Sequence, residues 1–250
     1  MRLSTLPLGI ATVCAALTCA QTPADSWPST SRNIGSAFQN ITVTPGKWIS
    51  PSGTLPASHL ISSHPIPPLP PQIKQNKPLQ SPNPNSLSHL LDVTSQPTIY
   101  LTTPLNPNPN PNASYMLLML DLSIPSSDVT TASLYSTLTP GLAPNTTTRL
   151  HWWQGNYTLA PSSSSSSLNP LFLNSTNSIA AYTAPRPRDS TNHTYAFYMF
   201  AQPANYFVGE EAANGTYYEE TTEARFNFSL KAVVESVGEP VAANWFVSSA

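Results

Sequence analysis

Proline supplies 28 of the 250 residues, and part of it falls in runs that regular elements cannot contain. Residues 66–71 are rich in proline, and residues 106–112 alternate asparagine with proline. Because proline restricts φ to about −65° and has no amide N–H to donate, neither run can lie inside a helix or a central strand. The proline-rich runs do not divide the chain into balanced halves. The sequence therefore predicts one domain with long loops, over residues 36–248.

Hydropathy and net charge argue against two classes of protein, namely membrane-spanning proteins and nucleic-acid-binding proteins. Only 9% of the residues are charged, against about 25% in an average soluble domain. Mean hydropathy is −0.17, and the expected mature chain has no run approaching the roughly 20 apolar residues of a membrane helix. The formal net charge of −2 gives no basic patch for nucleic acid. Serine, threonine and asparagine supply the missing polarity.

The N-terminus has the pattern of a secretory signal peptide over residues 1–20. Arg2 precedes an apolar stretch, and small residues end the segment before Gln21. We expect cleavage there, secretion, and a disordered leader over residues 21–35. Both cysteines would leave with the signal, so the mature chain would have no disulfide and no thiol chemistry; they are Cys14 and Cys19.

Eight N-x-[ST] sequons indicate an extracellular glycoprotein. Roughly four or five would occur by chance in a chain this rich in asparagine, serine and threonine. Glycosylation would place the modified asparagines on the surface. The predicted acceptors are Asn40, Asn112, Asn145, Asn156, Asn174, Asn192, Asn214 and Asn227.

Hydrophobic patterns predict the ordered elements. Residues 115–121 form a continuous apolar run that ends in a carboxylate, which is typical of a buried central strand. A helix is predicted over residues 229–237, because its apolar residues follow a helical spacing and Gly238 follows it as a stop signal. Asn227 or Ser229 is its expected N-cap. Further strands are predicted at residues 38–43, 150–153, 195–201 and 241–247.

The chain lacks the familiar catalytic motifs. It has no G-x-S-x-G, no H-E-x-x-H and no glycine-rich phosphate loop, so we expect a non-enzymatic protein without a cofactor. Asp121 closes a predicted buried strand and needs partners, because an unpaired buried charge is costly. His151 and His193 each lie beside a predicted strand and are candidate partners. The other histidines, predicted to be exposed, are His59, His64 and His89.

Four segments, in this order, resemble the phosphatidylethanolamine-binding protein family. The likeness covers residues 115–248 most clearly and is loose over residues 36–114. Any one segment is weak evidence, but the order and spacing of four are specific. The segments are YMLLMLDLSIPS from Tyr115, LHWWQGN from Leu150, YTAPRPRDSTNHTYAFYMFAQP from Tyr182, and RFNF from Arg225 followed by PVAANWF from Pro240.

The resemblance implies a mainly β fold, in which a large antiparallel sheet packs with a smaller sheet and a few peripheral helices. It also implies a small pocket at the strand ends that binds anions such as phosphate headgroups. Imidazole N–H groups and a tyrosine hydroxyl would donate to the anion, and Asp121 would orient one imidazole and raise its pKa. The matching residues are Asp121, His151, Pro187, His193 and Tyr195.

This chain departs from the family pattern around that pocket. Ser123 stands where the family has a second aspartate, and Thr194 stands where it has an arginine. Asp189, Ser190 and Thr191 replace glycines before the pocket histidine. A glycan on Asn192 would lie beside that histidine.

Three functions follow from these patterns. The first is a secreted, glycosylated binding protein with an anion or phospholipid-headgroup pocket, similar to the secreted fungal branch of the family. The second is an inhibitor of a serine carboxypeptidase, because the family includes such inhibitors. The third is a cell-surface glycoprotein whose pocket no longer binds. The possible partners are thus phosphate, a phospholipid headgroup or a protease, and the pattern gives no oligomeric state.

Overall fold

The computed structural model describes residues 21–24, 26–39, 41–51, 93–102, 112–129, 139, 143, 145–160, 172–174, 176–220 and 223–250. Several predictions fall outside these ranges. They concern the signal segment, the proline-rich residues 66–71 and 106–111, the sequon at Asn40, and the three histidines His59, His64 and His89.

Two sheets organise the described part of the chain. The larger has the strand order β3-β9-β8-β5-β6-β7 and is antiparallel except for the β3–β9 pair, and the smaller has the order β2-β1-β4. The predicted mainly β fold with a large and a small sheet is confirmed. The strands are β1 (Ile34–Phe38), β2 (Ile41–Thr42), β3 (Lys47–Trp48), β4 (Thr98–Leu101), β5 (Ser114–Pro125), β6 (Thr146–Leu159), β7 (Phe172–Asn174), β8 (His193–Gln202) and β9 (Ala242–Ser248), and the helices are α1 (Glu210–Ala213) and α2 (Leu230–Val237).

Strand β5 is apolar along most of its length because both of its faces are buried. Leu117 and Met119 share one hydrophobic cluster with Ile34 of the small sheet. Leu118, on the opposite face, belongs to a second cluster with Val233 of α2. A strand covered on both faces has no solvent side, so its sequence shows no alternation of polar and apolar residues.

The predicted helix is confirmed almost residue for residue. Its N-cap is Ser229, whose hydroxyl accepts a hydrogen bond from the backbone N–H of Ala232 at 3.1 Å. The helix ends at Gly238, whose φ of 93° lies in the region that glycine adopts without strain. The described residues include no helix that is long and apolar enough to span a membrane.

The segment predicted as one strand over residues 38–43 is instead the end of a hairpin. Strand β1 ends at Phe38, β2 begins at Ile41, and these two residues pair with each other. Gln39 lies between them in a turn with a φ of 50°. Period-two alternation does not distinguish a continuous strand from two short strands, because the turn residue changes the chain direction and not the polarity.

Part of the predicted leader packs against the large sheet. The carbonyl of Arg32 accepts a hydrogen bond from the backbone N–H of Ala243 at 2.9 Å. Asn33 forms a parallel β-bridge with Ala243. Thr22, near the start of the described residues, is also buried. The backbone contacts place residues 32–33 beside Ala243 of β9.

Two β-bulges lie in the β5–β6 pair where the candidate residues occur. Met119 pairs with Trp152 and Leu120 pairs with Leu150, so His151 is the extra residue of one bulge. The second lies just after Asp121. The sequence predicted that this strand ends at Asp121. Strand β5 instead continues past the bulge to Pro125. Bulges turn side chains away from the regular alternation, and they often occur beside functional sites.

Candidate functional site

Asp121 and His193 form a buried ion pair at the ends of the central strands. The side chains are 2% and 4% exposed, and His193 Nδ1 lies 2.7 Å from Asp121 Oδ2. The other carboxylate oxygen, Oδ1, accepts a hydrogen bond from the backbone N–H of Ser123 at 2.9 Å. Of the two candidate imidazoles, His193 is therefore the one that Asp121 orients.

A second carboxylate lies on the opposite edge of the His193 ring. Asp189 Oδ1 lies 3.2 Å from His193 Nε2, and the Asp189 side chain is 30% exposed. Burial lowers the pKa of His193, but its hydrogen bond to Asp121 and the charges of Asp121 and Asp189 outweigh that effect. The net result is a pKa above the ordinary value of 6.5, which favours the imidazolium.

Tyr195 lies between the two histidines. It pairs directly with Asp121 across β5 and β8. Its ring meets His151 edge-on at 5.1 Å and stacks with His193 at 6.4 Å, between centroids. The Asp121 carboxylate and the Arg186 backbone lie near its hydroxyl. Burial and the Asp121 charge raise the pKa of Tyr195, so the hydroxyl keeps its proton.

His151 is a neutral imidazole with a defined tautomer. Burial lowers its pKa to about 4. Its Nδ1 lies 2.8 Å from the carbonyl oxygen of Thr183, which can only accept a hydrogen bond, so Nδ1 carries the proton. Nε2 is then an acceptor, and it is buried without a partner.

Pro187 belongs to the irregular segment that borders the site. This segment runs from Thr183, which accepts from His151, to Asp189, which faces His193. Pro187 itself is half-buried, and the backbone of the preceding residue reaches Tyr195. The fold thus brings Asp121, His151, His193 and Tyr195 together, with Pro187 on the neighbouring segment.

The donors expected to face an anion are engaged within the protein. His193 has a carboxylate on each ring nitrogen, and His151 donates its only N–H to a backbone carbonyl. The Tyr195 hydroxyl lies near the negative charge of Asp121. An incoming anion must therefore displace one of these internal acceptors.

Sequence patterns did not assign to the pocket the arginines that lie near it. Arg149 on β6 is the cross-strand partner of Asp121 on β5. Its guanidinium lies over the Phe226 ring, 5.1 Å from the ring centre. The positive charge of Arg188 also acts on Arg149. The signal that could have revealed Arg149 is its position two residues before His151 in a chain with few charges. The charge of Arg225 acts on His151, whereas Arg186 has an exposed side chain that pairs with Glu220 at 3.1 Å.

Arg225 holds the segment that borders the site through buried hydrogen bonds. It is fully buried in a short 3-10 helix, and Nη1 donates to the Thr183 hydroxyl at 2.8 Å. Its other donors bind the carbonyls of Ala181, Tyr217 and Tyr218 at 2.6–2.9 Å. Arg225 therefore fixes the segment whose Thr183 carbonyl holds His151. In the part of the chain described by the structure, no three His, Cys, Asp or Glu side chains converge as metal ligands would.

The surface position of the sequons leads to a prediction about glycan occupancy. Asn227 is half-buried, and its side-chain oxygen accepts a 2.7 Å hydrogen bond from the Thr147 hydroxyl. We expect Asn227 to carry no glycan, because its side chain is half-buried and held in place by this contact, which leaves little room for a sugar on Nδ2. The exposed acceptors, expected to be occupied, are Asn112, Asn145, Asn156, Asn174, Asn192 and Asn214. Glycopeptide mapping of protein secreted from a eukaryotic host would measure this, and full occupancy at Asn227 would contradict it.

Comparison with known proteins identifies the family. A family model described as phosphatidylethanolamine-binding protein matches residues 74–244. A curated relative, phomoidride biosynthesis cluster protein N of a fungal species (strain ATCC 74256), is 34% identical over 99 residues, covering 39% of this chain and 42% of that protein. The match thus spans less than half the length of that relative. A carboxypeptidase Y inhibitor, solved in complex with its cognate proteinase, is similar with a TM-score of 0.47 and 12% identity, over 88% of this chain and 84% of that chain. Since the family model covers well over half of the residues, this chain belongs to the phosphatidylethanolamine-binding protein family.

Proposed function

We propose that this chain is a secreted, glycosylated and non-enzymatic binding protein that takes a phosphate group at the ends of β5, β6 and β8. The phosphate belongs to a free phosphate or to a phospholipid headgroup, and both present the same anionic oxygens. The proposed ligand-binding residues are Asp121, His151, Pro187, His193 and Tyr195. Family membership and the electrostatics of this cluster support the proposal.

One contact carries the argument: His193 Nε2 already faces an anionic oxygen, that of Asp189, at 3.2 Å. The opposite ring nitrogen is held by Asp121, which fixes the direction of Nε2. An imidazolium held in this way is a charge-assisted donor for phosphate oxygens. Arg149 and Arg188 add positive charge to the surroundings.

The same geometry favours binding over catalysis. A histidine acts as a general base toward a nucleophile when one ring nitrogen is free to accept its proton. Both nitrogens of His193 face carboxylates, and the raised pKa favours the protonated ring. His193 is therefore suited to hold an anion and poorly suited to remove a proton.

Two conservative variants of His193 test the proposal. In His193→Asn the side-chain amide can still donate to Asp121, in place of Nδ1, but the variant lacks Nε2. We expect this variant to keep the fold and to bind inorganic phosphate at least about tenfold more weakly than the unmodified protein, because one charge-assisted hydrogen bond is lost. Isothermal titration calorimetry at pH 6 measures the affinity, with phosphate up to tens of millimolar.

The controls separate the binding site from the fold and one phosphate source from another. Glu239→Gln, which removes an exposed charge on another segment, should bind like the unmodified protein. Phosphoethanolamine and vesicles containing phosphatidylethanolamine form the lipid arms, with phosphatidylcholine vesicles for comparison. Equal binding by the His193→Asn variant would overturn the proposed site.

The two alternatives make different predictions. A serine carboxypeptidase inhibitor would slow peptide hydrolysis by such an enzyme, and His193→Asn would leave inhibition through loops or termini unchanged. A surface glycoprotein with a non-functional pocket would bind none of the phosphate probes and inhibit nothing. The calorimetric titration and one inhibition assay therefore distinguish all three functions.

A further inference from the structure

We propose that Asp189 is a tethered carboxylate ligand that occupies the anion position on His193 and competes with external anions for it. This inference rests on the proposed anion site and assigns its regulation. Asp189 comes from the turn just before β8, so the competing group is supplied by this chain's own sequence.

The turn aims the Asp189 carboxylate at the ring. Oδ1 accepts hydrogen bonds from the Thr191 backbone N–H at 2.9 Å and from the Thr191 hydroxyl at 2.7 Å. Aspartate commonly bonds the backbone two residues ahead in this way and stabilises a tight turn. The same oxygen lies 3.2 Å from His193 Nε2. The local sequence D-S-T-N-H thus places a carboxylate oxygen where an anion would be held.

The two carboxylates on His193 differ in how easily they can be replaced. Asp121 is almost fully buried, at 2% side-chain exposure, and it also accepts a hydrogen bond from the Ser123 backbone N–H. Asp189 is 30% exposed and comes from a loop. Breaking a buried ion pair is costly, whereas partly exposed pairs contribute little because water screens them. Asp121 is therefore the permanent partner and Asp189 the exchangeable one.

The charged groups that the structure describes around the ring are consistent with this exchange. His193 faces Asp121 from β5 and Asp189 from the loop, and Tyr195 stacks beside it with a protonated hydroxyl. Arg149, from β6, acts on Asp121. Asp189 is thus the like charge that an arriving anion must displace, and removing it leaves the imidazole N–H unoccupied.

Substitution of Asp189 is the direct test. We expect Asp189→Ala to bind inorganic phosphate about two- to fivefold more tightly than the unmodified full chain, the range expected for loss of a partly screened ion pair. Asp189→Asn keeps an acceptor for the turn but loses the charge, so it should give a smaller gain. Glu239→Gln controls for net charge and should change nothing.

A second measurement requires no ligand. Diethyl pyrocarbonate acylates accessible imidazole nitrogens, and peptide mass mapping reports the rate at His193 alone. We expect this rate to rise several-fold in Asp189→Ala, because the carboxylate no longer covers Nε2.

The outcomes separate this inference from the proposed function. Equal phosphate affinity in the unmodified protein and Asp189→Ala would overturn the competition and leave the anion site intact. If neither protein binds phosphate, the proposed function fails and the competition with it. An unchanged acylation rate at His193 would show that the Asp189 carboxylate does not shield Nε2, whatever the binding result, and would overturn the inference.

Discussion

Replacing Arg225 with methionine should lower the free energy of unfolding by about 4 kcal/mol. The guanidinium is fully buried and donates to three carbonyls and to the Thr183 hydroxyl. Methionine fills similar space without donors, so these acceptors would stay buried and unpaired. Since the free energy of unfolding of small proteins is about 5–15 kcal/mol, such a loss is a large part of the total stability. Urea denaturation followed by tryptophan fluorescence measures it.

Two control variants define the cause of that loss. Arg225→Lys keeps the charge but cannot reach all four acceptors, so we expect a cost of roughly half that of methionine. Lys47→Met removes an exposed charge and should change stability by less than about 0.5 kcal/mol. If Arg225→Met unfolds at the same urea concentration as the unmodified protein, the hydrogen bonds of Arg225 do not hold the segment that supports His151.

The buried His151 should make the protein less stable in acid by about 3 kcal/mol between pH 6.5 and pH 4. Burial lowers the pKa of this imidazole from 6.5 to about 4, so the unfolded chain takes up a proton in this interval that the folded chain refuses. The part of the free energy of unfolding that depends on neutral His151 is fully present above pH 6.5 and is lost as the pH falls toward 4. Urea midpoints measured at half-unit pH intervals would show the slope.

Carboxylates also titrate in that range, so the comparison requires a variant. In His151→Asn the amide can replace Nδ1 as donor to the Thr183 carbonyl, and this side chain does not titrate. We expect its stability to fall less steeply between pH 6.5 and pH 4, by about 3 kcal/mol over the interval. Parallel pH profiles for the two proteins would show that His151 is not held neutral by burial.

Several elements followed from local patterns because the interactions that form them are local. Helix α2 was predicted because its capping serine, its apolar spacing and the terminal glycine all lie within ten residues of one another. Strand β5 was predicted because its burial on both faces leaves an uninterrupted apolar run. The hairpin at Phe38 was missed because a tight turn containing a residue with positive φ, Gln39, leaves little trace in the hydrophobic pattern.

The candidate site was predicted in its membership and not in its connections. The motifs identified Asp121, His151, His193 and Tyr195 as neighbours, but left open which imidazole pairs with Asp121. The answer depends on the bulge at His151, which directs that side chain toward Thr183 and leaves Asp121 to His193. Bulges arise from the register of two strands, which a single segment of sequence does not contain.

Residue order and spacing predicted the family and the mainly β architecture, because the patterns that indicate them are local along the chain. The same patterns proposed the pocket residues, whose ligand-binding role stays a prediction. The protonation states, the support from Arg225 and the contact between Asp189 and His193 became visible only in the folded molecule. Each of them depends on burial and on charges that are distant in sequence, and electrostatic energies follow distance in space. The proline runs limited the chain to short elements, while packing decided which of its few charges meet.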